Sequence, residues 1–234
     1  MNRIYLNFPV SLLRQAFINI REMCSNIMDY AIYKHSLSLS GDQKKQVKDS
    51  ADFFKIRLGT IKSTIENGKL IMDHNKNTAM TGISHTMLFD FYENEKNESE
   101  VAVLLAFLAI KSILGKKSYC RIHSEFLLCR MAGYNSKKEM SSLPDNLKKY
   151  LKRYHMDCLK YELKCSFGLK IYGRYTRGFF VSFELTEEQL IRVVELKRKK
   201  HIEIIQKQRQ NRTVEKVLRE IYSTNDGSTT RQHL

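Results

Sequence analysis

The chain has 234 residues, 42% of them hydrophobic, enough apolar mass for one large or two small domains, and it carries a formal net charge of +15. Only two prolines and ten glycines interrupt long segments rich in Leu, Lys, Glu and Ile, which favours helices over a sandwich or barrel. A field of this sign attracts polyanions through counterion release, nucleic acid first and anionic membrane second.

Residues 9–37 carry Leu12, Leu13, Phe17, Ile20, Met23, Cys24, Ile27 and Tyr30 at spacings of three and four, the pattern of one long amphipathic helix. A Ser-rich turn over 36–41 leads to a second helix over 42–54, and Thr60 can cap a third over 60–72. The link over 55–59 is short and marked by Gly59, so these two helices can cross as a helix-turn-helix. Residues 73–81 form a polar break, the stretch from Ile83 to Tyr92 reads as a strand running into a short helix, and 93–100 is acidic and solvated. A domain boundary is therefore expected within 75–85. Residues 101–115 are apolar almost all round, which marks a central core helix, and the apolar run over 101–110 stops at Lys111. A bilayer span needs about 20 apolar residues, and no signal-peptide order opens the chain, so a soluble, cytoplasmic protein is expected.

The most informative stretch runs from Tyr119 to Phe183. An apolar helix over 124–131 places Cys129 four residues before Gly133, as two closely crossed helices require: a small side chain admits the partner and the glycine takes the turn. Ser136 and Glu139 form a capping-box pattern in the connection that follows. Pro144 and Asp145 then begin a basic helix. Leu147, Leu151, Tyr154, Cys158 and Tyr161 are expected on its packing face, with Lys148, Lys149, Lys152, Arg153, His155 and Lys160 around the remainder. Apolar positions alternate over 169–183 on either side of a Gly-bounded turn, the pattern of a hairpin whose tip carries Arg174 and Arg177. From Lys117 to Phe180 there are 14 Lys and Arg against 5 Asp and Glu, so this segment supplies +9 of the +15.

The segment over 187–222 reads as one long helix with a basic cluster at 197–201, and 223–234 has no apolar period and reads as a disordered tail. The five cysteines, Cys24, Cys120, Cys129, Cys158 and Cys165, include no Cys-x2-Cys pair and read as reduced core residues.

In this order of helix, turn, basic helix and basic hairpin, residues 83–185 resemble the winged-helix superfamily. With two helix-turn-helix units and strong basicity, the chain also resembles the tandem winged-helix initiators of plasmid replication, or a mobile-element regulator of similar build. The connection over 135–142 is longer than that family's tight turn, and no basic wing follows the first unit. The expected fold is mainly α with a small β-hairpin: an N-terminal helical domain over 1–80, a winged helix-turn-helix over 81–185, a long C-terminal helix over 186–222 and the tail. Residues 1–80 are either a degenerate helix-turn-helix or a dimerisation or partner-binding module.

The resemblance implies double-stranded DNA as partner and a homodimer that reads two half-sites. Lys148, Lys149, Lys152 and Arg153 would border the major groove, with Asn146 suited to an adenine edge and Arg153 to guanine; Lys170, Arg174, Tyr175 and Arg177 would hold the backbone from the hairpin. No catalytic residue, metal or cofactor is expected. The seven histidines include no His-apolar-His pair of a nicking enzyme and no His-x2-Arg of a tyrosine recombinase, and no Gly-x4-Gly-Lys-Ser/Thr is present. The competing expectation is a helical protein-interaction or membrane-surface module whose basic face is not a DNA reader.

Overall fold

A computed structural model describes residues 4–173 and 178–226, with side chains as far as residue 220. The described residues are mainly helical with two small antiparallel sheets, and the chain divides into one unit ending at Leu185 and a second beginning at Thr186.

The first unit opens with a strand, β1 (Tyr5–Pro9), that pairs antiparallel with β2 (Met80–Ser84) and buries Leu6, Phe8 and Ile83. A 3-10 turn (Val10–Gln15) follows, and α1 (Ile20–Ser36) starts only after Asn19, whose side chain accepts from the Glu22 amide. The single helix expected over 9–37 is thus corrected. Val10 donates its amide to the Ala79 carbonyl at 2.8 Å, which holds this segment beside the sheet, and the Asn19 cap restarts the helix. Asp42 and Thr60 cap α2 (Gln43–Phe54) and α3 (Ile61–His74), both of which pack on α1. The strand-then-helix pattern over 83–92 is present as β2 followed by α4 (His85–Glu93), with Ser84 as the cap.

At the centre lies α5 (Glu98–Leu114), started by a reciprocal capping box between Asn97 and Glu100. Every residue from Val101 to Ile110 except the half-buried Phe107 is buried, as all-round apolarity demands. The helix meets β2, β3 (Cys120–Ile122), α6 (Ser124–Met131) and α8 (Arg153–Phe167). Between α6 and α8 come a 3-10 turn (Lys137–Ser142), the single turn α7 (Asp145–Lys148) and a further 3-10 turn (Lys149–Leu151). After α8 the chain forms β4 (Lys170–Tyr172) and β5 (Phe179–Ser182), in a three-stranded antiparallel sheet of order β3-β5-β4. Ile122 lies opposite Phe179 and Ile171 opposite Val181. One cluster of buried side chains runs from Leu6 to Val181. The second unit is α9 (Glu187–Asp226), begun by Thr186 and Gln189, each side chain accepting from the other's backbone amide. No helix among the described residues is long and apolar enough to cross a membrane.

At two glycines among the described residues a left-handed backbone coincides with a close approach of other chain atoms. Gly133 ends α6 at φ +76, where a Cβ would lie 3.0 Å from the Val10 carbonyl. Gly178 has φ +96, and a Cβ there would lie 2.4 Å from the Ile122 carbonyl, inside the β3-β5 contact. At Gly173 a Cβ would meet Phe179 alone among the described residues, its Cβ at 3.4 Å. Gly178→Ala should therefore destabilise the protein by about 1–3 kcal/mol in urea titration. Gly173→Ala should stay within about 0.5 kcal/mol, and equal costs at the two positions would contradict this sheet geometry.

Candidate nucleic-acid interface

The helix expected to run unbroken from Pro144 past Tyr161 is broken, because Lys152 takes an extended conformation at φ −73, ψ 134. The cause is a conflict of phase. At about 100° per residue, an unbroken helix would set Leu147 and Tyr150 roughly opposite Met156, Leu159 and Leu163. All five are buried, so the chain breaks between the two sets and turns both toward one core. Leu147 is 0% exposed, while Leu151, Tyr154, Cys158 and Tyr161, expected on the packing face, lie on the surface.

The connection before this break is ordered rather than slack. The Ser136–Glu139 capping box forms, with Ser136 donating its amide to Glu139 at 3.2 Å. Tyr134 donates its hydroxyl to the Ser142 carbonyl at 2.8 Å, and the Cys129 thiol lies 3.7 Å from the Met140 sulfur. Arg130 is buried on α6, its guanidinium 5.1 Å from the Phe126 ring centre and donating to Asn135 Oδ1 at 3.2 Å; burial lowers its pKa. Asn135 Oδ1 also accepts from the Ala79 amide, so the longer linker is tied back to the chain beside β2.

The sequence candidates are spread over several elements. Asn146 is exposed on α7. Lys148, on the same turn, reaches Asp145 at 2.6 Å, and the hydrogen bond and charge of Lys148 lower the Asp145 pKa. Lys149 is tied to Glu98 at the start of α5 at 2.7 Å, a bond that raises its pKa and makes it a tether between elements. Lys152 is exposed at the break, and Arg153, 96% exposed, opens α8 with its Nε 3.5 Å from Asp157. Lys170 is half-buried on β4. Arg174, Tyr175 and Arg177 lie outside the described residues.

Lys152, the residue before α8, makes no capping bond through its side chain. The first amides of α8 are thus flanked by two cations at the positive end of the helix dipole, and both charge and dipole there favour an anion. Further along, the exposed face changes character. Tyr154, Asp157, Cys158, Tyr161 and Glu162 line a shallow groove with Arg153, and its two acids offset the basic residues of the helix. The sequence reading missed this face because it carried one phase through Lys152; the visible signal was the second apolar register, Met156, Leu159 and Leu163.

The cysteines also divide. All five are free thiols, but only Cys24 and Cys129 are buried, Cys120 is half-buried, and Cys158 and Cys165 are exposed on α8, which corrects the expectation of five core residues. Burial pushes the Cys24 thiol up to about 12 and the Cys120 thiol up to about 11, the latter partly offset by Lys117. No protein-family model, curated protein or solved structure matches the chain.

Two thiols should react fast with an aromatic disulfide reagent in dilute native protein, and mass mapping should place them at Cys158 and Cys165. Cys120 should follow slowly, and Cys24 and Cys129 should react only on unfolding. Uniform reactivity of all five would show that the burial pattern around α8 is wrong.

Proposed function

We propose that the chain is a non-enzymatic protein that binds duplex DNA through a winged helix-turn-helix spanning residues 98–183, as a replication initiator or transcriptional regulator of the kind plasmids and other mobile elements carry. The observation that carries this reading is topological. After α5 the chain runs β3, α6, the broken connection that holds α7, then α8 and directly into the β4-β5 hairpin, in a sheet of order β3-β5-β4. That arrangement sets a hairpin immediately after the helix that would meet DNA.

Charge supports the same reading and refines it. The middle of α8 carries Asp157 and Glu162, which repel phosphate, so contact is assigned to the end of the helix that begins at Arg153. Lys152 and Arg153 would meet phosphate or a guanine edge there, with Lys148 and Asn146 on the preceding turn. Lys149 is given a structural role instead, because its ammonium already holds Glu98. The hairpin would supply the second backbone contact, and Lys170 lies on its first strand.

Salt-titrated binding to duplex DNA tests this. The logarithm of affinity should fall steeply with the logarithm of salt, and Lys152→Ala and Arg153→Ala should each lower that slope by about one. Lys149→Ala should leave the slope unchanged and lower stability instead. A wild-type chain with no salt slope would overturn the proposal. Selection from random duplexes would then separate the two roles, repeated direct sites indicating initiation and a single palindrome indicating transcriptional control.

A further inference from the structure

The exposed face of α8 has the character of a helix-pairing seam rather than an ordinary solvated face. Tyr154, Cys158, Tyr161 and Cys165 follow one another at spacings of four, three and four, which is a heptad stripe on the side opposite the buried Met156, Leu159 and Leu163. Tyr154 is 73% and Tyr161 66% exposed, large aromatic surfaces of the kind enriched where proteins meet. Asp157 and Lys164 flank this stripe on one side, and His155 and Glu162 on the other; Asp157 also pairs within its own helix with Lys160 at 3.1 Å and Arg153 at 3.5 Å, exposed contacts that exchange readily.

Those flanks identify the occupant. If a second α8 lay parallel, Asp157 would face Glu162 of the other copy, two like charges. If it lay antiparallel, Cys158 would pack against Tyr161 and Tyr154 against Cys165, while Asp157 would face Lys164 and His155 would face Glu162. A two-fold axis forms each of these contacts twice. The stripe is therefore self-complementary in one orientation only. We infer that this face of α8 is a homodimer interface in which two copies of the chain pair antiparallel along Tyr154, Cys158, Tyr161 and Cys165, with Asp157 and Lys164 joined across it. The inference does not depend on DNA binding, since it is argued from the stripe and its flanking charges, but the stripe begins at Tyr154 in the first turn of α8 and shares its groove with Arg153.

The seam is about 17 Å long, so a weak dimer in the micromolar range is expected. Sedimentation equilibrium of the full chain from about 1 to 500 μM should show a monomer–dimer equilibrium. Lys164→Glu sets a like charge against Asp157 of the other copy and should raise the dissociation constant about tenfold, as should Asp157→Lys. The double variant restores the pairing with its signs exchanged and should recover most of the loss; a structural defect would not recover. Labelling of Cys158 should also slow as concentration rises, and this protection should vanish in the Lys164→Glu chain. A monomer throughout the range, or association that ignores both charge reversals, would overturn the inference.

Discussion

The need to cover α5 on every side shapes the rest of the first unit. Its residues from Val101 onward are apolar in all directions, so no single neighbour can satisfy them, and β2, β3, α6 and α8 are all drawn against the helix. The segment over 143–163 contributes two apolar sets that a continuous helix would point in opposite directions. Burying a large apolar side chain contributes about 1.5–3 kcal/mol, whereas a backbone hydrogen bond contributes about 1 kcal/mol net. Turning Leu147 and Tyr150 inward together with Met156, Leu159 and Leu163 therefore outweighs the helical bonds lost at Lys152. The exposed face of α8 and its uncapped end both follow from that choice.

The same geometry limits what the net charge can do. Lys148, Lys149, Arg153 and Lys160 all lie within 4 Å of a carboxylate, and Lys160 also sits 4.6 Å from the Phe179 ring centre. Exposed pairs of this kind contribute little to stability and exchange readily, so they do not bar a phosphate from approaching. They do set what an approaching phosphate would have to displace. A phosphate at Lys149 has to displace Glu98 from a contact between two elements, whereas one at Lys152 displaces no ion pair among the described residues. Among the cations around the break, Lys152 is thus the one that a phosphate could approach without displacing a carboxylate contact among the described residues.

Legibility in the sequence followed the range of the interactions involved. The helices α2, α3 and α5 have apolar spacings and caps that are local in the chain, and their ends agree with those patterns to within a few residues. Strand β1 was not legible, because its five residues are defined by a partner about 75 positions away. The hairpin strands were visible through their alternation between glycines, while β3, three residues long, was not. For the candidate site, residue types were readable but orientation was not. A single 3.6-residue phase drawn from Leu147 to Tyr161 is good periodicity, yet the core requires two phases, and nothing local to Lys152 announces the break. Tyr154 and Tyr161 were consequently placed on the wrong side of the helix. The pairing of Lys149 with Glu98 joins residues 51 positions apart and is equally invisible to local reading.

These two surfaces give α8 distinct chemistry at its start and along its length, and their geometry bears on each other. In an antiparallel pair of 15-residue helices the two starting ends would lie about 20 Å apart and point in opposite directions. Two reading helices on one face of a duplex need a separation near one helical turn, about 34 Å, with both ends aimed at the groove. One α8 pair cannot meet both requirements. Pairing along the tyrosine stripe and reading of a palindrome by the same two helices would then exclude each other, and a palindrome would require two copies held together through some other surface. If instead single copies bind along repeated sites, dissociation of the α8 pair would precede binding, and DNA affinity would fall as protein concentration rises into the dimer range. If both proposals hold, geometry would couple the order of sites on the DNA to the oligomeric state of the free chain.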